Sequence, residues 1–242
     1  MTPESRARNT GNPIRAAAAA GATALAFALA WSQAALADES LRCAGTSVSV
    51  RGVDRAEAES ACQGVVAAVK FLASLGLDTS AAAEIRLVEA LPEIQQGARA
   101  YGCKVKADHR IYVLNLSECR KLPLAADVPV DAAVHRSLVA HEVGHHIAAA
   151  NFKVTRPTVV AHEYIAYVTM FATLEPSARE RLLARFPGDG FESTREIGMA
   201  VYLLDPNRFG AQAYRHFTRP GNGASFVEQV LSGRALATED PP

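Results

Sequence analysis

Residues 141–146 read "HEVGHH", inside the longer run "DAAVHRSLVAHEVGHHIAAANF" at 131–152. Apolar residues in that run recur at three- and four-residue spacing, with Asp131 near its start and Asn151 near its end, so it reads as one amphipathic helix. On a helix, positions i and i+4 share a face, which lets His141 and His145 direct two imidazoles at a single point. That is the geometry zinc needs for two of its ligands. Glu142 is rotated by about 100° from His141 and can reach a water at the metal without being a ligand. Random sequence of this composition matches H-E-x-x-H in roughly one window in 20,000, so chance is a poor account of the motif. Gly144 costs a helix about 1 kcal/mol relative to alanine, which points to a close approach there by a strand or a bound chain. His146 faces away from His145 and is expected to pack or cap rather than ligate.

The third ligand lies elsewhere. In the metzincin pattern it would be a histidine ten residues after the first, with a glycine at seven. This chain has Asn151 and Ala148 at those places. Glu163 and His162 are the first candidates, with His216 and Glu175 behind them. The turn "KVTRP" at 153–157 leads into a second helical run, "TVVAHEYIAYVTMFATLE", with Pro157 suited to its first turn. Antiparallel pairing across that turn brings residue 163 back beside residues 141–145. Glu163 would then complete a set of two histidines and one carboxylate with the fourth position open.

"HEVGHH" followed by the helical Glu of "EYIAYV" resembles the gluzincin branch of the zincin metallopeptidases, over about 35 residues. The resemblance implies zinc held by His141, His145 and Glu163, with Glu142 as general base in peptide-bond hydrolysis. It also implies a zincin-like α+β fold: a small mixed sheet with a backing helix, an active-site helix and a helical C-terminal lobe. Several families of that branch carry Asp or Asn four residues after the ligand Glu, where it supports a ligand histidine. Here that residue is Tyr167, so a phenol stands in that place. An oxyanion formed in the reaction would want a further donor. His216 and Tyr214 in "AYRHF" come first, since that stretch falls in the helical lobe, with Tyr167 and Tyr164 after them. In zincins an edge strand holds the substrate backbone, a role open to "YGCKVK" or "RIYVLNL". Two other readings share these residues: a catalytically silent binding or structural protein, and a zinc hydrolase of non-peptide substrates. Glu142 favours an enzyme, since a structural zinc site is closed by a fourth ligand and has no use for an acid beside it.

Upstream, the mature chain reads as an α/β lobe over 38–128. "TSVSVRG" at 46–52 has strand composition, Asp54 and Gly76 bound a helix, and "AEIRLVEAL" is a strand ended by Pro92. "YGCKVKADHRIYVLNL" gives two strands joined near Asp108. Residues 129–233 form a helical lobe, with further helices expected at 177–186, 193–204, 206–217 and 224–232. Residues 234–242, closing on "ATEDPP", read as a disordered tail.

Residues 1–37 read as a secretory signal: Arg6, Arg8 and Arg15, an apolar run from Ala16 to Ala30, and a small-x-small end at Ala35-Leu36-Ala37. The protein is therefore expected to be exported, periplasmic or secreted, with no stable membrane insertion once the signal is removed. The remainder has 22 Lys and Arg (25 less three) against 24 Asp and Glu (25 less one), a net charge of −2. With no basic tract, nucleic acid is excluded as a partner, and a peptide or protein substrate is expected. Cys43, Cys62, Cys103 and Cys119 all follow the signal, and an even count in an exported chain argues for two disulfides. The local pairings Cys43–Cys62 and Cys103–Cys119 are preferred. Asn115-Leu116-Ser117 matches a glycosylation sequon but falls in an expected strand.

Overall fold

Alternation of side chains builds the centre of the sheet. β2 (Val48–Arg51), β3 (Ala83–Val88) and β5 (Arg110–Leu114) bury Val48, Val50, Ile85, Leu87, Ile111 and Val113. Register aligns Val50 with Ile85 and Ile85 with Ile111, so these apolar residues form rows on one face. The other face is polar: Glu84 lies 2.6 Å from Arg86 and 3.3 Å from Arg110. β1 (Leu41–Arg42) adds antiparallel to β2, and β4 (Gly102–Val105) adds antiparallel to β5. Among the described residues the result is a five-stranded mixed sheet of order β1-β2-β3-β5-β4, with β2, β3 and β5 parallel. The computed structural model describes residues 40–92, 102–105, 110–122 and 128–237, with backbone alone for 103–105. The expected signal at 1–37, the turn at Asp108 and the last five residues lie outside them.

Two long helices cover the apolar face. α1 (Arg55–Ser74) starts where the Asp54 side chain accepts from the Glu57 N–H, and the chain leaves it at Gly76 with φ +85°. It packs on β1 and β2, while α3 (Ala132–Asn151) packs on β4 and β5 and along α1. The two helices cross closely at Gly64, where a Cβ would fall 2.3 Å from the Arg136 carbonyl oxygen. A disulfide between Cys43 and Cys62 ties the end of β1 to α1, as the local pairing anticipated.

The second expected disulfide, Cys103–Cys119, does not form: Cys119 is a free, buried thiol. The reason is local. The strand expected to run through Leu116 stops at Leu114, and Asn115 caps a short helix, α2 (Leu116–Cys119), by accepting from the Glu118 N–H. That turn draws the Cys119 thiol inward, 3.4 Å from the Leu114 carbonyl oxygen. The asparagine of the sequon is thereby buried as a cap.

After α3 come α4 (Val159–Thr173), α5 (Pro176–Ala184), a 3-10 turn (Thr194–Glu196), α6 (Met199–Leu204), α7 (Pro206–Thr218) and α8 (Gly223–Leu231). Thr158 caps α4, accepting from the Ala161 N–H, so Pro157 stands before the cap rather than in the first turn. The helix expected over 193–204 is broken before Gly198, which precedes α6. The chain also stays packed beyond residue 234: Ala235 is buried, and the Leu236 carbonyl accepts from the Thr158 hydroxyl at 2.7 Å. The main core draws Val50 and Ile85 from the sheet and Val143, Ile147 and Phe209 from the helices, so it crosses the expected lobe boundary at 128/129. Among the described residues no helix is long and apolar enough to cross a membrane.

Candidate metal centre

Gly144 does its work against a helix rather than a strand or a bound chain. A Cβ there would lie 3.0 Å from the Ala166 Cα and 3.2 Å from the Thr169 hydroxyl, both on α4. Its absence lets α3 and α4 cross at close range within the motif itself, beside His145. That crossing brings Glu163 to them. His141 Nε2 and His145 Nε2 are 3.1 Å apart; Glu163 Oε2 is 3.7 Å from the first and Glu163 Oε1 is 3.6 Å from the second. These are the three residues, among those described, whose ligand atoms are positioned to hold a metal ion.

The donor set fits a small divalent cation. Tetrahedral bonds of 2.0–2.1 Å place ligand atoms about 3.4 Å from each other, within a few tenths of an ångström of the three separations here. Burial pulls the His141 imidazole down to about 3 and His145 well below its ordinary value, so both are neutral with lone pairs available. Burial also pushes Glu163 up to about 7, against the pull of a hydrogen bond from Tyr202. A carboxylate in so dry a place is one that a cation's charge would return to its ionised form. Among the described residues the His141 Nδ1 atom is buried without a hydrogen-bond partner, and the opposite nitrogen is the one that faces Glu163.

Glu142 sits beside this set and is buried, while the three ligands are half-buried. Burial first, and then the neighbouring Glu163 charge, push its carboxyl up to about 8. Space for it comes from β4. A Cβ at Gly102 would fall 2.6 Å from the Glu142 carboxyl carbon, so the edge strand meets the acid at a residue with no side chain. The same strand end stands at the outer edge of the sheet.

The further donors expected from "AYRHF" lie elsewhere. His216 Nδ1 is 2.8 Å from the Tyr164 hydroxyl, and the two rings pack with Phe226 in the core. Tyr214 stacks on Phe171, with the Arg179 guanidinium 5.7 Å over its ring. Their partners are Tyr164 and Phe171 on α4, Arg179 on α5 and Phe226 on α8 rather than the three ligands. Glu175 pairs with Arg136 at 2.8 Å, and His162 packs on Phe152 with its ring 6.1 Å from that of His145. Tyr167 does reach the site, its ring edge-on to His141 at 4.6 Å. His146 is a buried packing residue, 3.4 Å from the Ala81 carbonyl oxygen, as expected.

One residue was missed from sequence. Burial first, and then the nearby charges of Glu163 and Glu142, push the phenol of Tyr202 on α6 above its ordinary value. No spacing rule links position 202 to position 163, since the chain between them passes through α5 and a 3-10 turn before returning.

A family model described as a family of unknown function, DUF6639, matches residues 48–240. Comparison with curated proteins and with solved structures finds no match.

Proposed function

This chain belongs to the DUF6639 family, whose function is unknown, and we propose from its metal centre that it is an exported, zincin-like zinc metallopeptidase. One observation carries the reading: a buried carboxylate, Glu142, stands next to a complete His141–His145–Glu163 ligand set without joining it. A structural zinc site is closed by four protein ligands and gains nothing from a second buried acid.

Zinc in this place would polarise a substrate carbonyl and bring the pKa of a water towards 7. The protein's own residues supply the rest. His141 and His145 remain neutral down to low pH and so keep their Nε2 lone pairs for the ion. Glu142 receives the proton of the attacking water on a carboxylate oxygen and delivers it to the leaving nitrogen. β4 favours a peptide as substrate: it is the end strand of the sheet and touches Glu142 through Gly102, so an extended chain paired with it would pass the acid. Export rests on the signal-like residues 1–37 and the Cys43–Cys62 disulfide, a bond that persists in the periplasm or outside the cell.

Zinc-loaded protein incubated with a mixed peptide library should cleave a subset of peptides, and a chelator should abolish the cleavage. If the loaded protein leaves every peptide intact while retaining its zinc, the reading as a peptidase is wrong.

A further inference from the structure

His141 lacks the hold that usually fixes a metal-binding imidazole. A histidine's outer torsion is broad, so the ring of a ligand is ordinarily pinned by a hydrogen bond from its second nitrogen to a carboxylate or carbonyl. In His141 that second nitrogen is Nδ1, since Nε2 faces Glu163, and among the described residues Nδ1 is buried with no hydrogen-bond partner. Rings stand in its place. The His145 ring lies edge-on with centroids 4.7 Å apart, and the Tyr167 ring lies edge-on at 4.6 Å with 73° between the planes. His145 is itself a ligand, so Tyr167 is the ring contact that comes from outside the ligand set.

Tyr167 reaches His141 because it follows Glu163 by four residues on α4 and shares its face. The ring is backed in turn from α7. Phe209 packs edge-on to it at 6.0 Å, and at Gly210 a Cβ would fall 2.3 Å from a Tyr167 ring carbon. Gly210 is buried inside α7 and is not among the glycines with positive φ, so it serves to make room rather than a turn. We propose that Tyr167 is the positioning residue of this centre: its ring, wedged between His141 and the bare backbone at Gly210, sets the rotation of the His141 imidazole and so aims Nε2 at the point shared with His145 and Glu163. The proposal rests on the metal-centre reading above. It adds that the first ligand is oriented by packing, and that α7, which supplies no ligand, takes part in the hold.

The test compares Tyr167→Leu, which removes the ring, with Tyr167→Phe, which keeps it and removes only the hydroxyl. Zinc affinity, measured by competition with a chromophoric chelator, should fall about 10- to 100-fold in Tyr167→Leu, the usual cost of losing an outer partner of a ligand, and should stay at the wild-type value in Tyr167→Phe. The visible spectrum of the Co(II)-substituted protein should shift in the first variant and not in the second. Gly210→Ala, whose methyl meets the ring, should also lower affinity and shift the spectrum, yet add little in a Tyr167→Leu background, where no ring is left to displace. Tyr214→Leu, the same truncation remote from the ligands, should change neither. Wild-type affinity and an unshifted spectrum in Tyr167→Leu, or an equal loss in Tyr167→Phe, would overturn the proposal and leave the metal centre standing. Where Tyr167→Leu does not fold, Gly210→Ala decides alone, and wild-type affinity there overturns it. Glu163→Ala binding zinc as tightly as wild type would instead remove the metal-centre assignment itself.

Discussion

Glu163 Oε1 lies 3.6 Å from His145 Nε2, although the two residues belong to different helices and the turn between them contributes nothing to the site. The pair is joined by a close helix crossing at Gly144, and its consequence is a ligand set that no single helix could supply. Each residue of that set should therefore be needed for the metal.

Wild-type protein is expected to carry about one zinc per chain, and His141→Ala and Glu163→Ala should each lose most of it under the same dialysis. Elemental analysis of the purified proteins reads this directly. Full zinc occupancy in His141→Ala would remove the motif histidines from the centre.

Glu142→Gln keeps the shape of the side chain and should keep zinc, while hydrolysis falls by about 10²–10⁴, the range for a lost general base. Gly102→Ala should behave as a milder version. Its new methyl would sit 2.6 Å from the Glu142 carboxyl carbon, so either the acid or β4 must shift while the three ligands stay in place. Turnover and zinc content measured side by side separate the two effects. Gly102→Ala with wild-type turnover would show that Glu142 is not held where it must be.

The metal-free protein should lose stability as pH rises through the neutral range. Burial pushes Glu163 up to about 7 and Glu142 up to about 8 from an ordinary 4.5, so across that interval the folded state holds more protons than the unfolded one. That contribution is fully present below about 4.5 and is lost as pH passes 7 to 8. His141, pulled down to about 3 from 6.5, acts oppositely, but only below 6.5. From pH 6.5 to 8.5 the carboxylates act alone, so the Tm of chelator-treated protein should fall, and should fall less in Glu142→Gln. Saturating zinc should flatten the slope. A flat profile in the metal-free wild type would contradict the burial of the two acids.

The Cys43–Cys62 disulfide closes a short loop of sequence separation 19 and should contribute about 3 kcal/mol, read as a lower denaturation midpoint in Cys43→Ser. Cys119 should resist alkylation in the native protein, since burial first, with the charges of Glu57 and Glu118, pushes its thiol up to about 12. Unfolding should expose it. Rapid native labelling of Cys119, mapped by mass spectrometry, would place it at the surface.

Much of this protein was legible in its sequence because the signals were local. Asp54 and Asp131 cap the two long helices where their side chains can reach an N–H three residues on, and alternation in "SVSVR" and "RIYVL" marks two strands of the sheet. The pairing of His141 with His145 follows from helix geometry alone, and a tight helical hairpin makes Glu163 a natural neighbour. Asn115 misled for an equally local reason: a cap outweighed strand propensity, ended β5 early and turned Cys119 inward, away from the disulfide expected of it.

What only the tertiary structure decided is which remote side chains meet the ligands. His216 and Tyr214 lie on a plausible helix, yet the rotation of α7 about its axis sends them to Tyr164 and Phe171. Tyr202, from a six-residue helix after a break at Gly198, comes close enough instead for the Glu163 charge to help push its phenol up. A helix's pitch fixes neighbours within it, but its rotation against the rest of the fold depends on packing summed over many residues. The ligand set was therefore written into residues 141–163, and the side chains that gather around it from the rest of the chain were not.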